Sequence, residues 1–182
     1  MDESPKQLIS EARTGIAMRP GQPKCEDYEY IRKGVVNIFM ATETLGGYQM
    51  VEITEKKKKM DWAKFCKYIA DKHYAKAEKI TLVMDNFSTH KAGSFYDAFA
   101  QEEARRLVKR FEFVYTPKHG SWLNMAEIEL QVMNKQCLDR HIDSIDVISS
   151  EVHAWARARN TKNATINWQF TTKDARIKLK RL

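Results

Sequence analysis

Lys79-Ile80-Thr81-Leu82-Val83-Met84-Asp85 is the stretch whose reading decides the fold. It is a short β-favouring run, nearly all apolar up to a terminal acid. That is the pattern of a central strand covered on both faces. Open α/β sheets gather function at the carboxyl ends of their strands. Asp85 ends this one, so it is the first residue to suspect of chemistry.

Working outward, Trp62, Phe65, Cys66, Ile69 and His73 fall on one stripe of an amphipathic helix just upstream. Before it, Tyr30–Ala41 is rich in β-formers and Tyr48–Thr54 alternates apolar with polar. Glu43-Thr44-Leu45-Gly46-Gly47 lies between them, so the pair predicts a β-hairpin. The first 29 residues read as the least regular part, with Arg19-Pro20-Gly21-Gln22-Pro23 as loop chemistry. Downstream, Phe95, Tyr96, Phe99, Ala104, Leu107 and Val108 predict one or two helices. Phe111, Phe113 and Tyr115 predict a second inner strand. Helical spacing returns over Trp122–Cys137 and at Ile145, Ile148, Val152 and Trp155. Thr171 and Asp174 have the spacing of a capping box opening a last helix. A hairpin followed by alternating helices and strands implies an α/β fold, a mixed sheet with helices on its faces.

Composition narrows the class. The 182 residues are 43% hydrophobic and 10% aromatic, enough to bury a core and too apolar for a disordered chain. The length suits one domain. Its longest apolar runs fall far short of the ~20 residues a bilayer requires, and Met1-Asp2-Glu3-Ser4-Pro5 lacks the features of a secretory signal. Cys25, Cys66 and Cys137 are widely spaced and odd in number, which points to a reducing cytosol rather than a disulfide framework. Lys and Arg outnumber Asp and Glu by 31 to 24, giving a net charge of +7. The resulting pI near 9.2 suits a polyanionic partner, of which nucleic acid is the commonest.

Acids also stand in two further places. Asp2 opens Asp2-Glu3-Ser4-Pro5-Lys6-Gln7-Leu8, and Glu127 follows Thr116-Pro117-Lys118-His119-Gly120-Ser121-Trp122-Leu123-Asn124 at a helix start. The segments Asp2-Glu3, Asp85-Asn86-Phe87-Ser88-Thr89-His90 and Leu123-Asn124-Met125-Ala126-Glu127, in that order, resemble the DDE/D transposases of the mariner superfamily, in its bacterial insertion-sequence branch. The Phe170-Thr171-Thr172 ending falls where that family has it, so the resemblance runs from Asp2 to Leu182. It implies a ribonuclease-H-like fold with helices on both faces of the sheet and a truncated first strand. It implies one catalytic domain over 1–182, with the family's N-terminal helix-turn-helix domains absent. Asp2, Asp85 and Glu127 would be the catalytic acids and would bind two Mg2+ ions, with Mn2+ able to substitute. Hard oxygen ligands suit such ions, and two of them ~3.5–4 Å apart serve in-line displacement at phosphorus. The partners implied are DNA, as transposon ends and target, and a second copy in a synaptic complex. The location implied is cytoplasmic, at the nucleoid when bound to DNA.

The chain departs from the family pattern in three ways. Only Met1 precedes Asp2, so a frayed Asp2 and poor cleavage are expected. The 41 residues between Asp85 and Glu127 exceed the family's usual spacing, and Gln101–Arg110 accounts for the excess. Met125 stands where the family has proline, and Glu129 is a rival third ligand, nearer the apolar face formed by Ala126, Leu130, Met133 and Cys137.

Each residue also has a plain reading. Asp85 could be a turn former or cap, and Glu127 or Glu129 a first-turn acid favoured by the helix dipole. His90 reads either as a phosphate contact or as a helix cap. Lys118 and His119 read as phosphate contacts on the site's rim. The Lys56–Lys59 run and the basic tail read as solvated charge that raises salt-dependent affinity for DNA, and Trp62, Trp122 and Trp155 read as core. The expected function is metal-dependent cleavage of DNA at insertion-sequence ends, with joining of the freed 3′-hydroxyl to target DNA. Two rivals stay open: a degenerate fragment that only binds nucleic acid, and another ribonuclease-H-like nuclease.

Overall fold

The hairpin forms as its sequence demands. β2 (Tyr30–Glu43) and β3 (Tyr48–Thr54) pair antiparallel from Asn37↔Thr54 to Glu43↔Tyr48. Gly47 closes the turn at φ +67°, and a Cβ there would come within 2.8 Å of the Asn163 backbone. This computed structural model of the protein describes residues 1–25, 28–86, 90–117, 120, 123–165, 167 and 169–180.

β1 (Asp2–Glu11) adds to the other edge of β2, antiparallel, from Asp2↔Met40 to Glu11↔Tyr30. The irregular part of the N-terminal region therefore begins after residue 11, not at the chain start. α1 (Lys59–Tyr68) follows the hairpin and runs on through one π-helical turn, Ile69–His73. Of its predicted stripe, Trp62, Phe65, Cys66 and Ile69 are fully buried, while His73 is only half-buried. β4 (Ile80–Met84) and β5 (Phe111–Tyr115) pair parallel, joined by α2 (Gly93–Ala98) and α3 (Gln101–Arg110). α3 coincides with the segment to which the extra spacing is assigned. α4 (Met125–Met133), α5 (Ile145–Thr161) and α6 (Thr172–Leu179) complete the order. Thr171 caps α6 through the predicted box, its Oγ1 accepting from the Asp174 N–H and its own N–H donating to the Asp174 carboxylate.

Helices cover both faces of the three-stranded sheet. Phe39, Ala41 and Met50 pack on one side with α1, α2, α3 and the inner residues of β4 and β5. Val36, Ile38, Met40, Val51 and Ile53 pack on the other with α4 and α5. The strand buried on both faces is thus β2, continuously from Val36 to Ala41. β4 buries only Ile80, Leu82 and Met84, while Thr81 and Val83 face outward. The apolar run misleads here because α4 and α5 seat on the three-stranded sheet and leave Val83 and Val114 uncovered. Asn160 pins α5 to the sheet: its Nδ2 donates to the Gln49 carbonyl at 2.9 Å and its Oδ1 accepts from the Gln49 N–H at 2.6 Å. Among the described residues, no helix is long and apolar enough to cross a membrane.

The two sheets approach each other at the start of β1. The Met1 amino group donates to the Val83 carbonyl at 2.7 Å. Beside it a cavity of about 500 Å3 runs between the ends of β2 and β4 and the first turn of α4.

Candidate active site

Three backbone segments are bonded together where the acids lie. Met1 donates to Val83, two residues before Asp85. Asn124 Nδ2 donates to the Met1 carbonyl at 2.8 Å, three residues before Glu127. Asn124 is also the N-cap of α4, its Oδ1 accepting from the Ala126 N–H at 3.3 Å. The Thr116 N–H donates to the Met84 carbonyl at 2.9 Å, so the loop leaving β5 is tied to the end of β4. One side chain, Asn124, thereby joins the helix carrying Glu127 to the strand carrying Asp2.

Asp2 is half-buried and held. It pairs with Met40, and the Glu3 N–H donates to its Oδ1 at 2.8 Å. Met1, just before it, is buried and bonded to both Val83 and Asn124. Directly opposed residues share a face, and Met40 packs with Leu130 and Met133 of α4. Asp2 therefore looks toward the α4 side of the sheet. Burial pushes its carboxyl above the ordinary value; the Glu3 N–H bond works against this, and the charges of Asp85 and Glu3 add to the rise. Asp2 and Asp85 are thus in electrostatic reach of each other.

Asp85 follows β4, with its side chain 40% exposed. Its Oδ1 is nonetheless buried. His90 Nδ1 lies 2.8 Å from it as a charge contact, while the hydrogen bond of that nitrogen goes to the Asp85 backbone carbonyl at 3.4 Å; among the described residues this oxygen has no hydrogen-bond partner. A buried carboxylate oxygen left in that condition is costly unless a cation or donor meets it.

The His90 side chain is turned into the interior. Its ring is fully buried, with Nε2 2.8 Å from Glu3 Oε2 and Nδ1 facing Asp85. Ala92, not His90, occupies the N-cap of α2. Burial alone would lower its pKa, but the Glu3 hydrogen bond and charge, followed by the Asp85 charge, raise it. Glu3 mirrors this: burial would raise its carboxyl, and His90 and then Lys57 hold it below the ordinary value. Lys57 Nζ lies 2.7 Å from Glu3 Oε1. Nothing in the sequence marks Glu3 for this role, because its partners are 87 and 54 positions away, beyond any local pattern.

On α4 the two glutamates separate. Glu129 is buried and bound by Arg159 of α5, whose Nε and Nη2 donate to its two oxygens at 2.8 Å each. It is an ion-pair member in the second core rather than a first-turn acid. Glu127 occupies the first turn, half-buried. Lys118, His119 and Trp122 lie outside the described residues.

The donor chemistry of Asp2 and Asp85 fits a hard divalent cation: oxygen ligands only and clustered negative charge. Among the described residues, no group of three or more His, Cys, Asp or Glu side chains is gathered closely enough to hold a metal ion. The structure thus sets Asp2 and Asp85 within electrostatic reach of each other, with Glu127 in the first turn of α4.

The family model for DDE superfamily endonucleases matches residues 1–149, a span that includes all three acids. The α/β architecture agrees with the ribonuclease-H-like fold expected of such a domain. No curated protein and no solved structure matches the chain.

Proposed function

Since the chain belongs to the DDE superfamily endonucleases, we propose that it is the catalytic domain of a mariner-like insertion-sequence transposase. Residues 1–182 form one such domain in this reading, and DNA is its partner. It cleaves DNA phosphodiester bonds at transposon ends and transfers the freed 3′-hydroxyl to target DNA, acting as a homodimer in a synaptic complex in the bacterial cytoplasm. The observation that carries the reading is the convergence of Met1, Val83 and Asn124, which draws the three acid-bearing segments to one junction.

Asp2 and Asp85 would hold Mg2+, or Mn2+ in its place, and Glu127 would complete the set from the first turn of α4. Such cations supply activation of the attacking hydroxyl and stabilisation of the leaving oxygen. The chain's own residues do the remaining work. Asn124 fixes the start of α4 against β1. Met40 and the α4 core hold Asp2 on the α4 side of the sheet. Lys118 and His119 would meet backbone phosphates on the rim, and the basic surface would gather DNA without reading its sequence.

One observation favours a second reading, a domain that binds DNA without turning it over: the acids are not closed into a three-member cluster among the described residues. Nicking of supercoiled plasmid separates the two. A working transposase domain should give Mg2+-dependent relaxation that EDTA and D85N abolish. Binding without any nicking, in Mg2+ and in Mn2+, would favour the second reading.

A further inference from the structure

Two buried ionisable side chains beside the proposed site have no place among its ligands. Glu3 lies one residue after Asp2, yet faces the opposite side of β1, because strand side chains alternate. Its cross-strand partner Phe39 belongs to the first core, and the Glu3 side chain is 2% exposed. A carboxylate in that position is tolerated only when paired. Its partners are His90 on one oxygen and Lys57 on the other.

The His90 ring has little freedom. It stacks on Trp62 with centroids 5.7 Å apart, and Trp62 itself packs against Phe95 and Phe113. Tyr115 Oη donates to the His90 carbonyl at 2.8 Å, fixing the backbone as well. With Nε2 held by Glu3, Nδ1 faces Asp85, 2.8 Å from the carboxylate Oδ1 and 3.4 Å from the backbone carbonyl that accepts from it. A histidine serving the core alone would end on interior groups. This one runs from a buried acid to a carboxylate that is 40% exposed at the mouth of the site.

We propose that Glu3 and His90, backed by Lys57, are positioning residues that set the orientation of the Asp85 carboxylate toward a divalent cation. The inference rests on the reading of Asp2 and Asp85 as cation ligands. Asp85 sits just beyond the end of β4, where the sheet no longer restrains its rotamer. The His90 contact holds one oxygen inward and leaves the rest of the carboxylate toward solvent. Outer partners that orient metal ligands are typically worth about 10–100-fold in metal affinity. The chain Lys57–Glu3–His90–Asp85 acts as one unit, so loss of any link frees the same carboxylate.

The test is direct titration of the full chain with Mn2+, read by electron paramagnetic resonance of free Mn2+, with circular dichroism confirming that each variant is folded. H90Q and E3Q should each weaken Mn2+ binding by about 10–100-fold. The E3Q/H90Q double variant should be no weaker than the worse single one. K57Q, altered at a partly exposed position and so the safest for folding, should weaken binding in the same direction. Wild-type Mn2+ affinity in all three single variants would overturn the proposal, as would losses that multiply in the double variant. D85N and D2N keep the dependence visible. If they bind Mn2+ as the wild type does, the cation site itself is refuted. If they lose affinity while H90Q, E3Q and K57Q do not, only the positioning role fails.

Discussion

Arg159→Ala tests which glutamate of α4 is committed to the fold. Glu129 is 2% exposed, and both its oxygens accept from one guanidinium at 2.8 Å. Deleting that guanidinium leaves an unpaired carboxylate between α4 and α5. Breaking a buried ion pair by removing one partner costs about 3–5 kcal/mol. Arg159 is itself 22% exposed, so water enters once its side chain is gone, and the lower end, about 3 kcal/mol, is expected. For a domain of this size each kcal/mol is worth about 2–4 °C, so Tm should fall by about 6–12 °C. Urea denaturation and thermal melting followed by circular dichroism measure both quantities. The E129L/R159L pair should recover most of the loss, because an apolar pair of similar volume replaces a buried ion pair at little cost. A loss below about 1 kcal/mol for R159A would refute the reasoning. Glu129 would then be free to leave Arg159, and it would return as a contender for the third ligand.

Asn124→Ala should cost about 2–4 kcal/mol in the same assays, since it removes a helix cap and leaves the Met1 carbonyl without its buried donor. Glu103 sits among Arg106, Lys67 and Asp71, and its hydrogen bonds to Arg106 and then Lys67 hold its carboxyl down to about 2 from 4.5. A depressed carboxyl contributes stability above its unfolded value and loses it as pH falls toward the folded one. Stability should therefore decline from about pH 4.5 toward 2, and E103Q should flatten that part of the pH profile of the urea midpoint. DNA affinity should be independent of sequence and fall steeply with salt. Replacing Lys56 by Gln should reduce the log–log slope by about 0.9 for each phosphate no longer neutralised, measured by fluorescence anisotropy.

What the sequence revealed follows from the range of each signal. The hairpin and the α6 cap are encoded within a few residues, by a Gly pair and by Thr171 with Asp174, so both were legible. β1 was not legible as a strand of ten residues. Ser4, Pro5, Lys6 and Gln7 interrupt any apolar alternation, and an edge strand tolerates them because only one side of it is paired. The helical wheel placed Glu129 nearer the apolar face, in agreement with its burial. It could not show that Arg159, 30 residues away, would neutralise it. His90 was legible as a position of interest and illegible in role, because its partner Glu3 is 87 residues distant. The two-faced burial read from Ile80–Met84 belongs instead to β2. Hydropathy alone does not tell which strand the helices will cover.

The central claim is that Asp2, Asp85 and Glu127 share divalent cations. Anomalous diffraction from crystals grown with Mn2+ tests it most directly. Mn2+ density should appear between the Asp2 and Asp85 carboxylates, with Glu127 turned in from the first turn of α4 and Glu129 still bound to Arg159. If two ions bind, they should lie about 4 Å apart. Density at a site that omits Asp85, or Glu127 left facing away while Asp2 and Asp85 hold the metal, would contradict it.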